Sequence, residues 1–167
     1  VKGYGEKVVT NVCGSRNRIC KALNVGKEEL YRTLIDAWRS PSKPKIADGG
    51  VVHDIREKNP DLSRIPILTH FERDAGKYVT SGIVHARSSD GDIENVSVHR
   101  LQVLDKNHLA IRLVQRHLFK LWKMAKEQGK NLDVAISIGV HPAILLAASS
   151  PVPFGVNEFN VANVLMN

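Results

Sequence analysis

Three β-branched segments separated by two very short turns constrain the fold more than any other feature of this chain. "KYVTSGIVHA" (77–86) is rich in valine, threonine and isoleucine. "SSDGD" follows, with Asp90 and Gly91 forming a hairpin signal. "NVSVHRLQVL" (95–104) alternates with Val96 and Val98 on one face, and "DKN" (105–107) turns the chain again. "HLAIRLV" (108–114) places Leu109, Ile111 and Leu113 on one face. Connections this short cannot hold a crossover helix, so the three strands form an antiparallel meander and not a βαβ unit.

Helical periodicity flanks the meander. In 26–39, Leu30, Leu34 and Trp38 recur every fourth residue, and Glu28 and Glu29 suit the positive end of a helix dipole. "SPSKPKIADGG" (40–50) breaks this helix and is the best internal boundary; a short apolar stretch, "VVHDI", follows it. In 117–129, Leu118, Leu121, Trp122 and Ala125 form a stripe, with Gly129 as the C-terminal stop. "LDVAISIG" (132–139) reads as a further strand. Pro142 is placed for the first turn of a helix over 141–150. "PVPFG" (151–155) is a rigid loop, and Asn157 can cap a last helix over 157–165.

The bulk numbers narrow the function classes. A chain of 167 residues with 43% hydrophobic residues can bury a core. Its net charge is +7, from 24 basic and 17 acidic residues. The basic residues are scattered without a run of five, which reads as a solvated surface. With 5% aromatic residues, the chain lacks the stacking platform of a single-strand nucleic-acid binder. No apolar run approaches the ~18 residues of a membrane span. Cys13 and Cys20 fit no zinc spacing and no disulfide framework, so reduced thiols in a cytoplasmic protein are expected. The chain opens on Val1 and closes on "VANVLMN", the pattern of a piece of a longer protein.

Some polar groups exceed what a sheet requires. Asn95, His99 and Arg100 lie among the valines of the second strand segment. Read as structure alone, they are the wet face of an edge strand. Asn95 and Arg100 are five apart, so a straight strand points them to opposite faces unless a bulge intervenes. His117 falls where strand gives way to helix, and Glu158 opens the last helix. An amide oxygen, an imidazole and a carboxylate together suit Mn²⁺ or a similar ion, but sequence spacing does not bring them together.

"DAGKYVTSG", "DGDIENVSVHRLQVLDKNHL" and "AISIGVHPAILLAASSPVPFGVNE", in that order, resemble the UbiD family of reversible decarboxylases that use prenylated FMN. The carrying pattern is Asn-x-x-x-x-Arg, then Asp-Lys-x-His-Leu, then Pro-x-Pro-x-Gly-x-x-Glu, and it spans roughly residues 16–165. The resemblance implies an α+β fold, with a split β-barrel of flavin-reductase type over 61–167 and a partial N-terminal α/β segment over 1–60. It implies decarboxylation of an aromatic or α,β-unsaturated acid. Asn95, His117 and Glu158 fall on the family's Mn²⁺ ligands, and K⁺ assists in bridging the cofactor phosphate. Arg100 matches the arginine facing substrate and flavin, and is expected to share a cavity with Ser149 and Ser150. Thr80, Ser81, Val98 and Arg116 match positions along the flavin, and Ala148, Ser149, Ser150 and Pro151 match the loop that lines it. The resemblance also implies a flavin prenyltransferase as cofactor supplier and a homo-oligomer at full length. The family's catalytic glutamates lie beyond the metal-binding Glu, whereas this chain closes nine residues after Glu158. The proton donor and the C-terminal domain are therefore expected outside it, and the piece alone is expected to be inactive. His99 receives no role from the resemblance, and Asn163 stands where glycine is common. The alternatives are a non-catalytic flavin- or phosphate-binding module of the same fold and a basic nucleic-acid-binding domain.

Overall fold

The computed structural model describes residues 1 and 3–166. Its elements run α1 (Arg16–Leu23), α2 (Leu30–Arg39), β1 (Tyr78–Arg87), β2 (Glu94–Val103), β3 (Leu109–Ile111), α3 (His117–Glu127), β4 (Val134–Ser137), α4 (Pro142–Ala148) and α5 (Glu158–Met166), with single 3₁₀ turns at Val51–His53 and Leu62–Arg64. The architecture is α+β. The four strands form an open antiparallel sheet in the order β3-β2-β1-β4. The expected meander is present, and Gly91 takes the left-handed φ of +82° that its hairpin turn requires. The third segment is shorter than its alternation suggests, because only Leu109, Ala110 and Ile111 pair with β2.

Helices cover both faces of the sheet. On one face, Val79, Val84, Ala86 and Leu101 pack with Leu118 and Leu121 of α3. On the other, Ile83 and Val96 pack with Ala148 of α4. Val79 and Val84 have opposite parity yet share a face. The register of β1 against β2 slips between Val79 and Gly82, where Thr80 and Ser81 stand opposite Arg100 alone. Such a bulge adds one residue and restores the face alternation beyond it. A third cluster joins Cys20 and Leu23 of α1, Leu30 and Ala37 of α2, and Ala143, Ala147, Val161 and Leu165 of α4 and α5.

The helix ends follow their local chemistry. Asn24 ends α1 in the left-handed conformation at φ 53°. The Glu29 carboxylate accepts the Gly26 N–H at 3.0 Å just before α2. Pro142 stands in the first turn of α4, as expected. Asn157 Oδ1 accepts the Phe159 N–H at 2.8 Å at the start of α5, the expected cap. Asn163, midway along α5, donates to Ser42 Oγ at 3.0 Å, tying that helix to the connection that follows α2.

Candidate metal and cofactor site

Glu158 is the centre of the site. Its side chain is buried, with 3% of the residue exposed, between the start of α5 and the edge of β2. β3 leaves that edge free because it pairs only with residues 101–103. The Val96 N–H therefore has no strand partner on this side and donates to Glu158 Oε2 at 2.7 Å. Asn95, 2% exposed, donates from Nδ2 to Glu158 Oε1 at 2.8 Å. His117 Nδ1, on the first residue of α3, lies 3.8 Å from the same Oε1. The three side chains thus converge from β2, α3 and α5 on one carboxylate oxygen. Burial pushes the Glu158 carboxyl above its ordinary range, against the lowering influence of Val96, Asn95 and His117.

Three neighbours that the sequence reading gave no part in the site, Asn157, Glu94 and Phe154, set this geometry. Asn157, besides capping α5, donates to Glu94 Oε2 at 2.6 Å and so pins the start of α5 to the start of β2. Glu94 is held in turn by Arg87 at 2.6 Å and faces His85 at 3.2 Å. Phe154, from the expected rigid loop, meets the His117 ring edge-on at 5.4 Å. The signal for Asn157 was its type at a cap position; the pairing with Glu94 has no local signature.

The donor set can accept a cation. The Asn95 oxygen accepts from Ser97 Oγ at 2.9 Å, and Ser97 Oγ is also 2.9 Å from His99 Nε2. His99 Nδ1 lies 3.3 Å from the Arg112 carbonyl. One hydroxyl proton cannot serve both Asn95 and His99. If His99 donates from Nδ1 to Arg112, its Nε2 takes the Ser97 proton. Ser97 then accepts from a reversed Asn95 amide, which turns its oxygen toward Glu158 Oε1. In that orientation the Asn95 and Glu158 oxygens face each other, and the gap is bridged either by a proton on the raised Glu158 carboxyl or by a cation, with the His117 nitrogen beside them. Among the described residues no three of His, Cys, Asp and Glu cluster; this site has two of them and an amide.

The remaining expected residues separate into groups. Thr80 and Arg100 line a cavity of about 540 Å³ over the Arg100 end of the sheet. Ser149, Ser150 and Pro151 instead line a cavity of about 360 Å³ with Leu34, Ile35 and Trp38 of α2. The expected sharing of a cavity between Arg100 and the two serines is not seen. Val96 and Arg100 do point to the same sheet face, and Val96 packs against Ala148. Four residues of strand, about 13 Å, separate the two positions. The hydroxyls of Ser149 and Ser150 turn back to the carbonyls of Leu145 and Leu146. Ser81, Val98 and Arg116 are exposed and line neither cavity. Asn95 and Arg100 lie on opposite faces, as five-residue spacing requires; the bulge falls in β1 and leaves β2 straight.

The family model described as 3-octaprenyl-4-hydroxybenzoate carboxy-lyase Rift-related domain matches residues 45–167, and the model for the N-terminal domain of the same enzymes matches residues 1–38. Anhydromevalonate phosphate decarboxylase of Methanothermobacter thermautotrophicus is 37% identical over 156 residues, covering 93% of this chain and 36% of that protein. Gallate decarboxylase of Lactiplantibacillus plantarum is 30% identical over 180 residues, covering 100% of this chain and 37% of that protein. The UbiD-class enzyme HmfF from Pelotomaculum thermopropionicum, solved with prFMN, superposes with a TM-score of 0.92 at 38% identity, over 99% of this chain and 40% of that one. The chain therefore spans well under half the length of these relatives.

Proposed function

This chain belongs to the UbiD family, and on that premise we propose that it is the cofactor- and metal-binding portion of a UbiD-like decarboxylase. The longer protein would remove CO₂, reversibly and without oxidation, from an aromatic or α,β-unsaturated carboxylic acid. The observation that carries this reading is the convergence of Asn95, His117 and Glu158 on one buried point. These residues fit Mn²⁺: a buried carboxylate without a full positive partner, an imidazole nitrogen, and an amide whose reversal the Ser97–His99 chain can absorb. K⁺ would sit beside it.

Prenylated FMN would supply the electrophilic ring that activates the substrate double bond, with its phosphate neutralised by the two cations. The chain's own residues bind and orient. Arg100 presents a planar guanidinium to the substrate carboxylate, which a lysine cannot reproduce. Thr80 shares its cavity, and Ser81, Val98 and Arg116 would flank the flavin. Residues 148–151 provide backbone groups for the phosphate end, where Ala148 packs beside Val96. The open sheet would be one part of a split barrel in 61–167, preceded by a partial N-terminal α/β segment over 1–60. Function at full length is cytoplasmic and homo-oligomeric, with a flavin prenyltransferase supplying the cofactor; among the described residues no helix is long and apolar enough to cross a membrane.

The test is flavin retention. The chain is incubated with prenylated FMN with and without Mn²⁺, then gel-filtered, and the visible flavin absorbance of the protein peak is read. Retention should require the metal and disappear in Asn95→Ala and Glu158→Gln. Equal retention in both variants, or in chelator, would remove the site from this reading.

A further inference from the structure

Asn95, Ser97 and His99 form a polar column on one face of β2, at the two-residue spacing that aligns side chains along a strand. Asn95 is buried, and Ser97 and His99 are half-buried. The column ends on backbone. Leu101–Ile111 is the last pair of the β2–β3 ladder; just past it the Arg112 N–H donates to the Arg100 carbonyl at 3.4 Å, and the Arg112 carbonyl lies 3.3 Å from His99 Nδ1. Gly82, opposite His99 on β1, brings no side chain to the imidazole. A carbonyl oxygen only accepts, so Nδ1 carries the proton and the neutral ring presents a lone pair at Nε2. Burial favours that neutral ring by holding the His99 pKa below its ordinary range. Ser97 Oγ, 2.9 Å from Nε2, then gives its one proton to the imidazole. Its oxygen is left to accept from the end of the Asn95 amide that lies 2.9 Å away. An asparagine amide fills the same volume in either orientation, so its partners decide which end faces Glu158. The opposite arrangement sets a bare Nδ1 against the Arg112 carbonyl, lone pair to lone pair.

We infer that His99 is a positioning residue for the cation site: acting through Ser97, it holds the side-chain oxygen of Asn95 toward Glu158 and His117. The inference rests on the reading of Asn95, His117 and Glu158 as cation ligands, and it gives a part to a residue that the family resemblance left without one. The Asn95 oxygen is aimed at the site before an ion arrives, and no amide reversal is needed when it binds. A ring without Nε2 loses this control. Ser97 is then free to donate to the Asn95 oxygen, which turns the amide NH₂ toward Glu158 and sets a donor where the ion must sit. Outer partners of this kind tune metal affinity by orienting the ligands themselves.

The experiment reads the Mn²⁺ affinity of the 167-residue chain by electron paramagnetic resonance of the free ion, at about pH 8, above the ordinary histidine range. His99→Phe should weaken binding about three- to ten-fold, the scale of one hydrogen bond. His99→Gln, whose side-chain oxygen takes the Ser97 proton while its NH₂ serves the Arg112 carbonyl, should stay within about two-fold of the parent. Ser97→Ala removes the misdirected donor, so adding His99→Phe to it should change the affinity by less than about two-fold. A residue that only supports the fold would give additive losses instead. Ring nitrogen shifts of the metal-free chain, read by NMR, should show the Nδ1–H tautomer for His99. The inference is overturned if His99→Phe binds Mn²⁺ as the parent does, if His99→Gln loses as much as His99→Phe, if the His99→Phe loss persists in the Ser97→Ala background, or if the tautomer is Nε2–H. A parent chain that binds no Mn²⁺ sinks the metal reading and this inference together, whereas Mn²⁺ binding that is indifferent to His99 sinks the inference alone.

Discussion

Replacing Glu158 separates its role as a structural acceptor from its role as a cation ligand. Glu158→Ala removes the acceptor for the Val96 N–H and for Asn95 Nδ2, at 2.7 and 2.8 Å. Each buried donor left unsatisfied costs about 1–3 kcal/mol. Relief of carboxylate desolvation, the cause that raises the Glu158 pKa, offsets part of that loss. The expected net destabilisation is about 2–4 kcal/mol. Glu158→Gln keeps the volume and one carbonyl acceptor for Val96. Reversal of the Asn95 amide offers its oxygen to the new Gln NH₂, so the metal-free variant should lie within about 1 kcal/mol of the parent. Mn²⁺ at one hundred times its dissociation constant should stabilise the parent by about 2.7 kcal/mol and the Gln variant not at all. Urea unfolding followed by Trp38 and Trp122 fluorescence, with Mn²⁺ or chelator, reads all three outcomes. A Gln variant as unstable as the Ala variant, or stabilised equally by Mn²⁺, would refute the assignment of Glu158 as a cation ligand held against its own desolvation.

His99 is held below its ordinary pKa of 6.5, first by burial and against the raising influence of the Arg112 carbonyl. The unfolded chain then binds the extra proton, so this contribution to stability is whole above about pH 6.5 and is lost as pH falls toward the folded pKa; it should be missing from the urea midpoints of His99→Gln across that window. Gly82→Ala should destabilise by about 1–3 kcal/mol, because a Cβ there meets the Leu101 and Val79 side chains at 3.1 Å in a buried bulge; thermal melts of the variant measure it. Leu121→Ala, at a fully buried position against the sheet, should cost about 2–5 kcal/mol by urea titration.

Local chemistry determined much of this protein. Alternation over 77–114 and two short turns dictated the meander, since strand period and turn residues act over a few neighbours. The helix starts at Pro142 and Glu158 followed from a proline and an asparagine whose preferences are intrinsic. Parity alone put Asn95 and Arg100 on opposite faces of β2. The helix at Arg16–Leu23 has no clear local signature because it is two turns of a half-polar segment, stabilised by packing Cys20 and Leu23 against other helices. Strand alternation extends beyond Ile111, but after the Arg112 N–H, which still donates to the Arg100 carbonyl at 3.4 Å, no further described residue of this segment pairs with β2. The convergence of Asn95 with Glu158, 63 residues later, needed the free edge of β2 and the Asn157–Glu94 tether, which are products of chain topology. The same holds for the separation of Ser149 and Ser150 from Arg100. Residue type and spacing specify which groups are available; the close approach of groups distant in the chain is set by packing, and packing is decided by the whole fold at once.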